Sequence, residues 1–339
     1  MRNVHCAIVI LNWNGRQLLE RFLPSVVAAA KPSGSLVVVA DNGSSDQSLP
    51  YVQAQCPETM VIALPENYGF ALGYNRALDI LRQRVEADYY LILNSDVELP
   101  GGVLEPLLDF LDHHPQYAAL MPTIRSAHQR NMFEYAGAAG GFIDLLGYPF
   151  CRGRILGHLE DDHGQYASTR QVHWASGACL AIRANLFHRL EGFDPAFYAH
   201  MEEIDLCWRL RRAGYAIGAM GQVAVYHLGG ATLPYGNPKK TFLNHRNSLL
   251  MLRKNLPRWQ LLLLLTARLP LDVLAAAFHL VAGHPKDALA VLKAFSGLTM
   301  AIPKAPPHRP RPSAPRAPFC ILLHYLIGQR TFDKLPTIP

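Results

Sequence analysis

Asp96 stands two residues after Asn94, directly behind the apolar run 89–93. An Asn-x-Asp pair at such a point offers hard oxygen donors to a divalent cation and leaves positions open for diphosphate oxygens. A second acidic group, Glu202, Glu203 and Asp205, opens a stretch of helical periodicity. One of these carboxylates facing a cleft would serve as a general base. The helix dipole favours acids there in any case, and Arg209, four residues after Asp205, is spaced to pair with it. His227, at the end of an apolar run and beside Gly229, could complete a metal shell.

Three further stretches are suited to binding. Asp41 ends the run 36–40 and begins Asp-Asn-Gly-Ser-Ser-Asp; its carboxylate could accept bonds from a nucleobase or ribose, with Asn42 and Ser44 in the turn behind it. The same residues also read as an ordinary strand-to-helix turn. Asn67, Gly69 and Gly73 open a helical pattern whose N-terminal amides suit a phosphate. They lack the G-x-G-x-x-G spacing of a dinucleotide site, which argues against a dehydrogenase. Ser176 and Gly177 would let a substrate approach the backbone, and Trp174 could serve as a sugar plate or as a core residue.

The elements that would position these residues alternate. Runs 7–11, 36–40 and 89–93 are nearly continuous in apolar character, as strands covered on both faces are, and helical patterns lie at 17–30, 71–84 and 103–113. This predicts βαβ units and ligand binding at the carboxyl ends of the strands. Residues 131–169 read as loops and short strands, 173–183 as a strand, 202–213 as a helix ended by Gly214, and 216–220 and 223–226 as two short strands.

Beyond Gly236 the character changes. Residues 239–255 form a basic helical pattern, and 259–281 are very apolar yet carry Arg268, Pro270 and Asp272. Two charges cost too much at a bilayer centre for a simple span. The expectation is an interfacial helix or a hairpin with 288–298 as its second arm, or else a helical subdomain packed on the enzyme. Residues 303–318 read as a Pro-rich basic linker and 319–327 as an apolar tail. The expected division is 1–236, 237–302 and 303–339.

The net charge of +6 suits a polyanionic partner, whether an anionic membrane face or a phosphorylated substrate, but no nucleic-acid-binding motif accompanies it. Half of the residues are hydrophobic and 17% charged. The six cysteines contain no C-x-x-C pair, so they are read as reduced thiols of a cytosolic protein. The apolar run at 7–11 is too short for a signal peptide, so a cytoplasmic location is expected.

Taken in order, VILNWNG, DNGSSD, NYGFALGYN, LILNSDVEL, WASGACLAIR, EEIDLCWRLRRAGY and YHLGG resemble family 2 glycosyltransferases of the GT-A fold, in particular the bacterial rhamnosyltransferase-like branch that builds surface polysaccharides. The resemblance implies an α/β, Rossmann-like, mostly parallel sheet flanked by helices. It implies a hexosyltransferase that inverts the anomeric configuration, with a UDP- or dTDP-sugar as donor and Mg2+ or Mn2+ as cofactor. Asp41 would hold the base, with Asn12, Asn42, Ser44, Asn67, Gly69, Asn75 and Asn94 along the donor. Asp96 and His227 would hold the metal. Trp174, Ser176, Gly177 and Asp205 would line the acceptor, a glycan or lipid-linked sugar. Glu203 matches the family's general base, with Glu202 the alternative. Docking on the cytoplasmic face of the inner membrane is the expected setting. Two other readings stand beside this one: an inactive sugar-binding or scaffold subunit, and a sugar nucleotidyltransferase. The second wants a Gly-rich basic loop where Asn12-Trp13-Asn14-Gly15-Arg16 stands.

Overall fold

The computed structural model describes residues 2–229, 237–299 and 316–338. It begins with β1 (Arg2–Asn12), α1 (Arg16–Ala30), β2 (Leu36–Asn42), α2 (Ser48–Gln55), β3 (Met60–Leu64), α3 (Gly69–Leu81) and β4 (Val85–Asn94). These are the expected βαβ units. The apolar strand residues are buried on both faces, and α1 turns Leu19, Leu23, Val26 and Ala30 onto the sheet at helical spacing. Neither α2 nor β3 was expected: a five-residue apolar run such as Met60–Leu64 does not distinguish strand from buried helix by periodicity.

The second half of the sheet comes from β5 (Val97–Glu98), β6 (Tyr117–Ser126), β11 (Arg170–Val172), β12 (Cys179–Arg183) and β13 (Ala216–His227), with α4 (Leu104–His113), α5 (Ala184–Arg189) and α6 (Glu202–Arg212) against it. The strand order is β11-β13-β6-β12-β4-β1-β2-β3, with β5 paired to β13. The pairs among β4, β1, β2 and β3 are parallel, and β12 runs antiparallel between β4 and β6. A small antiparallel sheet holds β7 (Gly141–Ile143), β8 (Pro149–Cys151), β9 (Arg154–Ile155) and β10 (His158–Leu159).

Two expectations are corrected here. The strand expected over the whole of 173–183 is β12 alone, Cys179–Arg183; residues 173–178 connect it to β11, which ends at Val172. The two strands expected at 216–220 and 223–226 are one strand, interrupted by a register shift between Met220 and Ala224. Met220 pairs with Pro122, which has no N–H to give to the ladder, and the irregularity falls at that gap. The bulge must carry a glycine: a Cβ on Gly221 would lie 1.8 Å from the Tyr166 carbonyl oxygen.

The C-terminal helices are α7 (Pro238–Asn255), α8 (Arg258–Val281), α9 (Pro285–Lys293) and α10 (Ile321–Leu326). α8 and α9 form the hairpin expected from the sequence, although α9 gives way to a 3-10 turn at Ala294–Leu298. α8 is long and apolar enough to cross a membrane by length and composition. Its buried stripe is Leu264, Arg268, Asp272 and Ala276, one residue per turn. Both charges therefore face the protein. Arg268 Nε lies 3.2 Å from Asp272 Oδ2, and the same guanidinium donates to Ser248 Oγ and the Leu146 carbonyl and lies over the Tyr148 ring. The opposite face presents Trp259, Leu262, Leu263, Leu274, Phe278 and Val281 to the outside. α10 is docked through Phe319 and Ile321, while Leu323, Leu326 and Ile327 are exposed. Most of the expected linker, residues 303–315, lies outside the described residues, as do the expected boundary at 236 and Gly230 of YHLGG. All six cysteines are free, five of them buried.

Removing one partner of a buried ion pair leaves an uncompensated charge. Asp272→Ala should therefore cost about 3–5 kcal/mol, read as a lower denaturant midpoint at unchanged slope. Val281→Ser, on the exposed face, should stay within about 0.5 kcal/mol of the parent.

Candidate active site

Strand register brings the first residues of the site together. Asn12 at the tip of β1 pairs with Asp41 on β2, and Leu11 pairs with Asn94 at the tip of β4. Three polar side chains thus finish side by side at the carboxyl edge of the parallel half, where an open α/β sheet binds its ligand. Asp41 is buried: its Oδ1 accepts from Asn12 Nδ2 at 3.0 Å and its Oδ2 from the Ser44 amide at 2.9 Å. Asn12 Nδ2 also donates to Ser44 Oγ. Trp13 follows, a large half-exposed ring just past the tip of β1.

Behind this edge, Asn42 Nδ2 donates to Asn67 Oδ1 and to the Gly69 carbonyl, and Asn42 Oδ1 accepts from the Tyr68 amide. These residues hold the start of α3. Gly69, at φ +73°, is required there, since a Cβ would meet the Tyr198 ring at 2.7 Å.

The metal candidates converge from opposite halves of the sheet. Val97 of β5 pairs with His227 of β13, and the Leu228 amide donates to the Asp96 carbonyl. This puts His227 Nε2 3.1 Å from Asp96 Oδ1, with both side chains nearly buried. On its other side, His227 Nδ1 lies 2.9 Å from Glu134 Oε2. Burial alone would lower the His227 pKa, but the hydrogen bonds and charges of Asp96 and Glu134 outweigh it and hold the ring up at about 10. Nothing in the sequence pointed to Glu134. It lies 93 residues from His227 in an irregular segment, and only the pairing of β6 with β13 brings it near.

Ligands about 2.1 Å from an octahedral ion stand about 3.0 Å apart when adjacent. The 3.1 Å between Asp96 Oδ1 and His227 Nε2 fits such an edge. Among the described residues no group of three or more His, Cys, Asp or Glu side chains could hold an ion by itself. The two donors fit an ion that completes its shell with substrate oxygens and water.

Glu202 and Glu203 follow a loop in unusual conformation. Tyr198, His200 and Met201 all have positive φ, between +63° and +73°. Such backbone persists only where its surroundings over-determine it. Here the Tyr198 carbonyl accepts from the amides of Phe70 and Ala71, and Asn247 Nδ2 of α7 lies within 2.9 Å of the carbonyls of Phe197, Ala199 and His200. Gly177 lies against Glu203: a Cβ built there would be 3.6 Å from the Glu203 Cβ. Ala178, next to it, accepts from the Asn94 amide. Glu203 is in this way linked to the β4 tip. Burial pushes its carboxyl up to about 7; Glu202 is raised well above the usual carboxylate range by burial and then by the charge of Glu203. The Oε2 atoms of both accept no hydrogen bond from a described residue.

Three expected roles are corrected. Trp174 is a core residue: it is buried, its Nε1 donates to the Phe142 carbonyl, and its ring lies where a Cβ on Gly141 would be. No face is left for a sugar. Asp205 is fully buried and bonded to Arg209 at 2.8 Å, as its spacing predicted, and also to Lys254 at 2.8 Å and Asn255. It clamps α6 to α7 and is closed to an acceptor. Asn75 spends both ends of its amide on the Phe193 backbone. Ser176 is buried and its Oγ accepts from the Ala178 amide, shaping the turn that carries Gly177.

The mixed sheet with its strand-tip acids has the GT-A architecture, the nucleotide-sugar-binding fold of one large class of glycosyltransferases. Residues 4–260 match the family described as glycosyltransferase like family 2, and the chain belongs to that family. It is a glycosyltransferase. The N-acetylglucosaminyl-diphospho-decaprenol L-rhamnosyltransferase of Mycobacterium tuberculosis is 29% identical over 235 residues, covering 65% of this chain and 75% of that protein. Among solved structures, GalNAc-T7 with UDP, GalNAc and Mn2+ matches with a TM-score of 0.58 at 14% identity, covering 86% of this chain and 54% of that one. TarS 1–349 of S. aureus with UDP-GlcNAc matches at 0.56 and 17%, covering 87% and 82%. The chain thus spans about half of GalNAc-T7, and these two likenesses speak to the fold.

Asp205→Asn should lower the thermal midpoint by several degrees, since it removes the charge between Arg209 and Lys254. Acceptor KM of the remaining folded enzyme should stay within about twofold, where a group that touched acceptor would raise it by about tenfold or more.

Proposed function

We propose that this protein is an inverting, metal-dependent glycosyltransferase. It would transfer a hexosyl group, with rhamnose the first candidate, from a UDP- or dTDP-sugar to a hydroxyl of a lipid-linked glycan. The observation that carries this reading is the Asp96–His227 pair, with Glu203 packed against Gly177, whose neighbour Ala178 bonds the tip of β4. The relative's name supports the sugar and the diphospho-polyprenol acceptor, and the nucleotides in the solved structures support the donor class.

In this reading Asp41, Asn12 and Ser44 hold the nucleoside at the tips of β1 and β2. Asp96 and His227 hold Mg2+ or Mn2+, which when bound offsets the charge on the departing diphosphate. Glu203 takes the proton from the acceptor hydroxyl as the oxygen attacks the anomeric carbon from the face opposite the diphosphate, so one displacement inverts that centre. The proton ends on the carboxylate and the electron pair leaves with the nucleoside diphosphate. Burial and the charge of Glu203 raise the Glu202 pKa, which favours a proton on Glu202 and leaves Glu203 to act as base.

We also assign the exposed face of α8, with Leu323, Leu326 and Ile327 of the C-terminal tail, to the membrane surface where a polyprenol acceptor lies, on the cytoplasmic side of the inner membrane. The support is a face of large apolar side chains with its two charges turned inward.

Purified protein incubated with UDP- and dTDP-sugars, acceptor and Mn2+ should release nucleoside diphosphate from one donor. Asp96→Ala should abolish release, and Glu203→Gln should lower kcat by about 10²–10⁴-fold. Donor that binds without release in any acceptor's presence would point instead to an inactive sugar-binding subunit. The base must be ionised, so kcat/KM should rise about tenfold per pH unit below about 7 and level off above it. The full chain should sediment with anionic vesicles, and Leu263→Ser with Phe278→Ser should weaken that by about tenfold or more. A wild-type protein that stays in the supernatant would refute the docking surface.

A further inference from the structure

Glu134 has no part in the chemistry above, yet it is buried beside His227 and is anchored more firmly than a surface acid would be. Its own amide donates to the Ile124 carbonyl on β6, and its Oε2 accepts from the Ala136 amide at 2.6 Å. β6 pairs with β13 at Ser126 and His227, so both ends of the Glu134–His227 contact are fixed to adjacent strands. Gly229, at φ +72°, closes over the carboxylate: a Cβ there would lie 2.7 Å from Glu134 Oε1. The distance from Glu134 Oε2 to His227 Nδ1 is 2.9 Å, while Nε2 on the far side of the ring points to Asp96 Oδ1 at 3.1 Å.

A histidine that ligates an ion must offer a lone pair on one nitrogen, and the proton on the other needs an acceptor. We infer that Glu134 is the positioning residue of the metal site: by accepting the Nδ1–H of His227 it keeps the proton on that nitrogen, leaves Nε2 as the ligating atom and holds the ring in line with Asp96. The inference rests on the proposed Asp96–His227 site and adds a third residue that touches neither ion nor substrate. Glu134 reaches the ring from the side opposite Asp96, so it sets the ring's orientation and tautomer without competing for the ion. The carboxylate also raises the electron density of the imidazole, which strengthens its bond to a cation.

The test is Mn2+ binding to the full-length protein in the presence of UDP or dTDP, read by the loss of the free-ion electron paramagnetic resonance signal. Glu134→Ala should weaken Mn2+ binding by about 10–100-fold. Glu134→Gln, whose amide oxygen can still accept from Nδ1–H, should recover most of that loss, which a general loosening of the fold would not allow. In the wild-type protein with Mg2+ and nucleotide, the 15N shifts of His227 should report a protonated Nδ1 and a lone pair on Nε2. That readout needs no substitution and stands even if Glu134→Ala fails to fold. Asp96→Ala is the reference. If it loses Mn2+ while a folded Glu134→Ala binds within about twofold of wild type, the positioning role is overturned and the metal site stands. If Asp96→Ala itself binds Mn2+ as wild type does, the metal site falls and this inference with it. A His227 protonated on Nε2 under those conditions overturns the inference directly.

Discussion

Carboxylates at the mouth of a parallel sheet sit where most water has been removed, and each must find a donor or hold its proton more tightly. This molecule resolves that constraint differently at each acid. Asp41 is satisfied by Asn12 and by the Ser44 amide, and Asp205 by Arg209, Lys254 and Asn255. Asp96 and Glu134 share one imidazole between them. The Oε2 atoms of Glu202 and Glu203 accept nothing from a described residue, and both carboxyls are pushed above the usual range. Asp41 and Asp205 thus have several donors each, while Glu202 and Glu203 have fewer. Burial alone does not separate the two pairs; the supply of donors does.

That separation depends on backbone held in costly conformations. The loop before Glu202 contains three non-glycine residues at positive φ, and it is tied from one side by the amides that open α3 and from the other by Asn247 of α7. The same helix supplies Lys254 and Asn255 to Asp205 and Ser248 to Arg268 of α8. α7 is therefore packed into the catalytic body on one side and into the apolar hairpin on the other. α7 thus hydrogen-bonds both α8 and the loop that precedes Glu202.

Much of the first half was legible from the residues. Continuous apolar runs marked β1, β2 and β4, and the helical spacing of α1, α3 and α4 was plain because long periodic segments carry a strong signal. The short β3, the Pro-containing β6 and the start of β12 within 173–183 were not legible, because their character depends on what they pair with. In the site, Asp96, His227 and Glu203 stood out through position: a strand tip, a strand end and a helix start. Trp174 and Asp205 looked equally exposed to chemistry. A tryptophan beside small residues reads the same whether its ring meets a sugar or Gly141, and an aspartate in a first helical turn reads the same whether or not a lysine 49 residues on reaches it.

By itself, then, the sequence determined the local events: which segments bury both faces, where each strand ends, which acids sit at those ends, and the family to which their order belongs. The tertiary structure decided which of those acids are fully paired. It aligned Asn12, Asp41 and Asn94 by register, brought Glu134 to His227 across two strands, and turned Arg268 and Asp272 inward so that one face of α8 is left apolar. The physical reason is that strand order, register and the facing of a helix are set by contacts between distant segments, whereas periodicity and chain position are properties of neighbours along the chain.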